Sequence, residues 1–213
     1  SSLKKLKKVT FGKELMKIGK GSFMKTKIEE LFIPKNVKRI EEKAFHKCKY
    51  LKSVLFEKDS QLDLLDDFSF SECSSLISFQ IPSKIRQFNK QIFQGNYKLN
   101  NLRIDEENDY FKSIDNSVLS KNETILKYSF NYLKGFRMIL PKSVEKIENE
   151  AFSENTFGSI LFGNSLKEIG EMVLNQNNEI ESLLFPISLE TIRPYAFAFN
   201  DNLKSVIITS QNI

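Results

Sequence analysis

The sequence has few of the residues that most often carry catalysis or bind metals. It contains one histidine, two cysteines and no tryptophan. This set cannot supply the spaced ligands of a zinc site, so no metal and no cofactor are predicted. A hydrolase would need His46 beside a nucleophile and an orienting carboxylate. Its lysine-rich surroundings predict an exposed loop residue instead, so no catalytic residue is assigned and the chain is predicted not to be an enzyme.

Long apolar runs are also missing. No stretch approaches the roughly 18 consecutive apolar residues of a membrane helix, and the opening SSLKKLKKV lacks the apolar segment of a secretory signal. Residues 12–22, GKELMKIGKGS, place six residues rather than four between the first glycine and the Gly-Lys pair. A nucleotide-binding P-loop is therefore not predicted.

Basic residues are abundant but unevenly distributed. Residues 1–50 contain 15 Lys and Arg against 5 Asp and Glu, whereas the remainder contains 17 against 22. Such a basic end can attract acidic partners, although a solvated surface is the simpler explanation. A nucleic-acid surface would need exposed aromatics among the lysines. Phe11, Phe23 and Phe45 instead fall on predicted core positions, so no nucleic acid is expected.

Phenylalanine is the exception among the aromatics, with 19 residues, and it marks an internal repeat. Met138 to Phe152, MILPKSVEKIENEAF, contains its parts: an apolar-x-apolar strand, a Pro or Gly turn, one apolar residue, and an apolar pair five residues apart. The predicted strands carry the pairs Val9/Phe11, Leu31/Ile33, Val54/Phe56, Phe79/Ile81, Leu102/Ile104, Met138/Leu140, Ile160/Phe162, Leu183/Phe185 and Val206/Ile208. The five-apart pairs are Ile18/Phe23, Ile40/Phe45, Leu65/Phe70, Phe88/Phe93, Ile147/Phe152, Ile169/Leu174 and Ile192/Phe197.

The repeat spacing of 22 to 25 residues is typical of one solenoid coil. Each coil is predicted to contain a strand, a turn, a short helical segment and a return, which places the fold in the α/β class. Residues 1–213 are predicted to form a single domain of about nine coils. The pattern begins and ends without polar caps, so a piece of a longer array is favoured over degenerate caps.

Two places interrupt the rhythm. The coil after Phe56 has two extra residues within Glu57–Gln61, which predicts a bulged turn. Between Ile104 and Leu140 the spacing is 36 residues. There, two apolar stretches flank residues 120–124, so a β-hairpin projecting from the stack is predicted near 105–137. Its tip carries the glycosylation sequon Asn122-Glu123-Thr124, weak support for a secreted setting.

The middle residue of each strand should point outward, because side chains alternate along a strand. Six of these nine positions are large and apolar, in two columns. A contiguous apolar patch on a surface usually marks an interface; the alternative is that long neighbouring side chains cover it. The outward positions are Thr10, Phe32, Leu55, Gln80, Arg103, Ile139, Leu161, Leu184 and Ile207. The predicted partner-binding residues are Phe32, Leu55, Arg103, Ile139, Leu161, Leu184 and Ile207.

The pattern over residues 31–56 resembles the BspA-type leucine-rich repeat. The insert is similar to the hairpin-bearing variant of that family in its segment Asn108, Phe111, Val118, Leu119 and Lys121. The resemblance implies a curved horseshoe solenoid with a parallel β-sheet on the concave face, and with short helical or 3-10 turns and loops on the convex side. Relatives of this kind are cell-surface proteins of bacteria and parasitic protists that adhere to host matrix and cells.

Cys48 and Cys73 each follow their repeat phenylalanine by three residues. Equivalent positions hold Thr26, Asn96, Asn155, Asn177 and Asn200, so the two cysteines are interpreted as buried structural thiols. Adjacent coils lie about 5 Å apart, so a disulfide between them is also sterically possible.

The function expected from these features is a non-enzymatic protein-interaction module. It would belong to a cell-surface or secreted adhesion protein or antigen, and bind a protein partner, such as a host matrix or cell-surface protein, or a second copy of itself, through the concave face. The alternative is an intracellular, cytoplasmic scaffold or regulatory protein that uses the same face.

Overall fold

The computed structural model describes residues 3–87, 89–132 and 134–209. It contains two compact units, Ser1–Phe111 and Lys112–Ile213. In each unit, long and short strands of successive coils pair in parallel. The prediction of one domain of about nine coils over residues 1–213 stays a prediction.

Unit 1 contains three short strands and four long ones. The short strands form one parallel sheet in the order β1-β3-β5, and the long strands pair as β2-β4 and β6-β7. In chain order they are β1 (Lys17–Ile18), β2 (Glu30–Ile33), β3 (Arg39–Ile40), β4 (Ser53–Phe56), β5 (Leu64–Leu65), β6 (Ser78–Ile81) and β7 (Asn101–Ile104). A 3-10 helix spans Lys90–Phe93.

Unit 2 repeats this arrangement around a six-stranded sheet. That sheet has the order β16-β14-β12-β10-β9-β8, and the long strands pair as β11-β13 and β15-β17. The strands are β8 (Phe111–Ile114), β9 (Ser117–Ser120), β10 (Ile125–Ser129), β11 (Phe136–Ile139), β12 (Lys146–Ile147), β13 (Phe157–Leu161), β14 (Glu168–Ile169), β15 (Ser182–Phe185), β16 (Thr191–Ile192) and β17 (Ser205–Ile208).

The predicted alternation explains the core. In β2, Leu31 and Ile33 are buried and Phe32 is exposed, and β7 and β15 follow the same pattern. The inward apolar residues of one coil cover those of the next, so each unit acquires a core that a single coil cannot form. In unit 1 the repeat phenylalanines stack: ring centroids are 5.4 Å apart for Phe23 and Phe45 and 5.1 Å apart for Phe45 and Phe70.

The fold is mostly β rather than α/β, and within the described residues only one of the predicted helical segments forms, as the 3-10 helix Lys90–Phe93. Most of the other segments contain two left-handed residues four positions apart, such as Lys43 (φ 57°) and Lys47 (φ 62°), which break a right-handed helix. Alternate N–H groups donate to the next coil: Lys43 N to Asp67 O at 3.1 Å, Phe45 N to Ser69 O at 2.8 Å, and Lys47 N to Ser71 O at 2.9 Å. Bonds between coils therefore replace the bonds of a helix.

The insert contains antiparallel strands where the hairpin is predicted, but it does not project. β9 and β10 pair with Leu119 opposite Leu126, and both side chains are buried. β10 also pairs in parallel with β12, with Leu126 opposite Ile147. The hairpin thus supplies a short strand to the stack of coils. This position buries its apolar residues, which a projecting hairpin would expose.

The ends depart from the strand prediction. Residues 9–11 form no strand, although Thr10 is exposed as expected. Val206 and Ile208, predicted to point inward, are 39% and 38% exposed, because no described coil covers β17. The predicted pair Phe88/Phe93 includes Phe88, which lies outside the described residues.

Candidate functional site: the long-strand face

Within each unit, the middle residues of the long strands form an exposed surface, here called the long-strand face of that unit. Each lies between two inward neighbours that anchor the strand, so its side chain must point away from the core. The structure exposes all six apolar residues that were predicted to point outward. Their exposed fractions are Phe32 55%, Leu55 62%, Ile139 54%, Leu161 48%, Leu184 61% and Ile207 52%.

Strand register sets these residues side by side. In unit 1, Phe32 lies opposite Leu55, and Gln80 lies opposite Arg103. In unit 2, Ile139 lies opposite Leu161 and Leu184 opposite Ile207. Directly opposed side chains on one face are within contact distance of each other. The predicted column of four residues in unit 2 consequently consists of two paired rows, because β13 and β15 belong to different hydrogen-bonded sheets.

Arg103 is the one charged residue among the predicted partner-binding positions. It is exposed, and its Nε donates to Asn101 Oδ1 at 3.0 Å within the same strand. The polar pair Gln80 and Arg103 borders the apolar pair of unit 1. Thus the face in unit 1 is half apolar and half polar, whereas the described face of unit 2 is apolar in both rows.

A cavity of about 810 Å³ opens between β4 and β6 and was missed by the sequence reasoning. Leu55, Gln80 and Arg103 line it together with the loop residues Glu57 and Asp59. β4 and β6 belong to different hydrogen-bonded sheets, and the two extra residues after Phe56 fall in the loop beside them. The two extra residues are the feature of the sequence that could have indicated the cavity. Its position on the long-strand face follows only from the pairing of the strands.

The ion pairs of the described residues mostly join neighbouring coils. Lys20 and Lys43 both pair with Glu42, and these contacts lower the pKa of that carboxyl to about 2. Lys47 reaches Glu72 at 3.1 Å, and Lys52 reaches Glu29 at 3.0 Å. Of these pairs, Lys47–Glu72 neutralises a cation of residues 1–50 with an acid from outside that stretch, so most of the basic excess there is kept.

His46 does not lie in an exposed loop, so that prediction is wrong. Its side chain is 13% exposed, with Nδ1 2.6 Å from Ser71 Oγ and Nε2 3.7 Å from Glu72 Oε1. These residues meet because coils one repeat apart stack directly on each other. Burial lowers the pKa of His46. Ser71 is 1% exposed and its hydroxyl donates to Phe68 O at 2.9 Å, so it cannot reach a substrate as a nucleophile.

The two cysteines are buried free thiols, as interpreted from the sequence. Each donates to the carbonyl of the repeat phenylalanine in the preceding coil: Cys48 Sγ to Phe23 O at 3.1 Å and Cys73 Sγ to Phe45 O at 3.2 Å. Asn96 donates to Phe70 O at 2.9 Å from the equivalent position. The position thus donates a hydrogen bond from one coil to the carbonyl of the repeat phenylalanine in the coil before it, which is a structural role.

Within the described residues, no group of three or more His, Cys, Asp and Glu side chains could hold a metal ion. The described part of the chain also has no helix long and apolar enough to cross a membrane.

A profile of the BspA type leucine rich repeat region matches residues 1–100 and 123–213, in six copies. The chain belongs to this family. Its members are repeat proteins, which explains the parallel coils of both units. No protein of curated function matches the chain in sequence.

Three solved structures resemble this BspA-type chain. The pneumococcal vaccine antigen PcpA is 26% identical over 91% of this chain and 54% of its own, with a TM-score of 0.72. A leucine rich cell surface protein from Faecalibacterium prausnitzii A2-165 is 18% identical over 85% and 54% of the two chains, with a TM-score of 0.56. A leucine-rich repeat protein from Bacteroides ovatus ATCC 8483 is 19% identical over 94% and 62%, with a TM-score of 0.60. The last two show the fold alone, and the chain spans about half the length of PcpA.

Proposed function

We propose that this BspA-type chain is a non-enzymatic interaction module of a cell-surface or secreted protein, and that it binds a protein partner through the long-strand face. One observation carries the proposal: six apolar side chains on that face are 48% to 62% exposed and are paired by strand register. Apolar side chains grouped on one surface are usually covered by a partner.

The chemistry of the face favours a protein over a small ligand. Leucine, isoleucine and phenylalanine side chains offer area for burial but few hydrogen bonds, and protein interfaces have such apolar centres with polar rims. Arg103 and Gln80 supply a polar rim in unit 1. The surface location is supported by the likeness to PcpA, which is described as a vaccine antigen.

The test is to place a charge at the centre of the face. We expect Leu161→Asp and Leu184→Asp each to weaken binding at least about tenfold, because each buries an unpaired carboxylate in the complex. Binding is measured by surface plasmon resonance against purified matrix and cell-surface proteins, and self-association by sedimentation equilibrium.

The matched control is Ile187→Asp, which makes the same kind of change at a side chain that is 67% exposed but outside the long strands. Circular dichroism checks that all variants fold. The proposal fails when both leucine variants bind a protein partner of the wild type as tightly as the Ile187 control does.

A further inference from the structure

A second groove lies along the short strands of unit 1, away from the middle positions of the long strands. It has a volume of about 620 Å³ and crosses the coils that contain β3 and β5 and the coil that follows them. Its polar lining is basic, with two glutamines beside the cations. The residues concerned are Lys38, Arg39, Lys84, Arg86, Gln61 and Gln87.

These four cations have no carboxylate within 4 Å in the described part of the chain, unlike the cations Lys146, Lys167 and Arg193 of unit 2. Asp63 also lines the groove but makes no such pair. The Glu41 carboxylate interacts electrostatically with Arg39, but it is paired with Lys17 at 3.1 Å. Arg86 instead lies over the ring of Tyr110, 5.8 Å from its centroid, a contact that orients its guanidinium.

In unit 2, cations of the short-strand coils have the carboxylate partners that the groove of unit 1 lacks. There Lys146 lies opposite Glu168 across the ladder, with Nζ 3.5 Å from Oε1, and Lys167 pairs with Glu145 at 2.9 Å. In unit 1 the residue opposite Arg39 is Leu64. On its other side Arg39 lies opposite Lys17, and like charges in register are unfavourable without a counter-charge.

We infer that this groove binds a sulfated glycan chain, whose sulfates take the place of the carboxylates that unit 2 supplies itself. Arginine and lysine side chains bind oxyanions through charge-assisted hydrogen bonds. The side-chain amides of Gln61 and Gln87 can form hydrogen bonds with the sugar hydroxyls that lie between the sulfates. Among the described residues, the aromatic ring in contact with these cations is Tyr110, and Arg86 lies over it, which disfavours base stacking there.

The test measures binding of a heparin octasaccharide by isothermal titration calorimetry. Leu64→Glu installs the carboxylate that Glu168 provides in unit 2, and Arg39→Gln with Arg86→Gln removes two cations. We expect each change to weaken binding at least about tenfold. Leu64→Gln, and the pair Lys98→Gln with Lys142→Gln, should stay within about twofold, because they leave the groove charge intact.

Two further arms identify the ligand. Desulfated heparin should not bind detectably, and a single-stranded DNA of equal charge should bind at least about tenfold more weakly than the octasaccharide. Leu161→Asp should bind the octasaccharide like the wild type, which separates this groove from the long-strand face. The inference is overturned by no wild-type binding, by equal losses in the variants and their controls, or by equal binding of DNA.

Discussion

The two units have the same coil, but the cations on their short strands are paired differently. In unit 2, Glu168 lies between Lys146 at 3.5 Å and Arg193 at 3.1 Å, so both cations share a carboxylate partner. In unit 1, Leu64 occupies the corresponding position and Arg39 stays without a carboxylate partner. The backbone ladder is the same in both, so the fold does not require either charge pattern. Charge at these positions is consequently free to serve binding.

The cores differ as well. Unit 1 carries a continued stack of rings, in which Phe70 lies 5.1 Å from Phe45, 5.1 Å from Phe79 and 6.4 Å from Phe93. In unit 2, Leu174 takes the phenylalanine position next to Phe152. Unit 2 also contains ring pairs, among them Phe152 with Phe157 at 5.2 Å and Phe185 with Phe197 at 5.5 Å, so the two cores differ in the continuity of the ring stack.

Removing one ring in each unit has the largest expected effect. Phe70→Ala and Phe152→Ala should each lower the free energy of unfolding by about 3–5 kcal/mol, since both side chains are fully buried. We expect the larger loss at Phe70, because each lost ring pair adds about 0.5–1.5 kcal/mol. Urea denaturation measures both, and Phe199→Ala, at a ring that is 69% exposed, is the control. A larger loss at Phe152 would remove the distinction between the cores.

The only histidine of the sequence, His46, lies in unit 1, so a contribution of histidine titration to stability is expected in that unit alone. Burial lowers the folded-state pKa of His46, so the unfolded chain binds the proton more readily. The stability contributed by neutral His46 is therefore complete above about pH 6.5 and is lost as pH falls below it.

We expect the melting temperature of the wild type to fall between about pH 7.5 and pH 5.5. His46→Gln should reduce this change, because it removes the imidazole that takes up the proton. Thermal scans across the range give the comparison. The same slope in both proteins would mean that another group titrates.

The smallest expected change in stability is at Glu168. Glu168→Leu copies Leu64 of unit 1 and should cost less than about 1 kcal/mol, because exposed ion pairs contribute little. It should also create a second basic strip from Lys146 and Arg193, and so raise the number of heparin octasaccharides bound per chain. Glu181→Leu frees Lys204 outside the short strands and is the control. Unchanged stoichiometry in Glu168→Leu would show that freed cations alone do not make the groove.

Many features of the fold and of the candidate site could be predicted from the sequence, and the wrong predictions share one cause. The outward direction of Leu161 and the burial of Cys48 follow from periodicity within the chain. The positions of His46 and Leu64 do not, because their neighbours Ser71 and Arg39 are 25 residues away and meet them only through coil register. The left-handed Lys43 also escaped prediction, since lysine carries no signal for a positive φ.

The sequence by itself determined the repeat, the family and the inward side of the coils between the two ends, because burial of one apolar set at fixed spacing permits a single register. Tertiary structure decided what lies between coils. It replaced the predicted helices with hydrogen bonds to the next coil, drew the hairpin into the sheet, opened the cavity between β4 and β6, and left Arg39 beside a leucine. These outcomes depend on distances between residues of different coils, which no stretch of sequence contains.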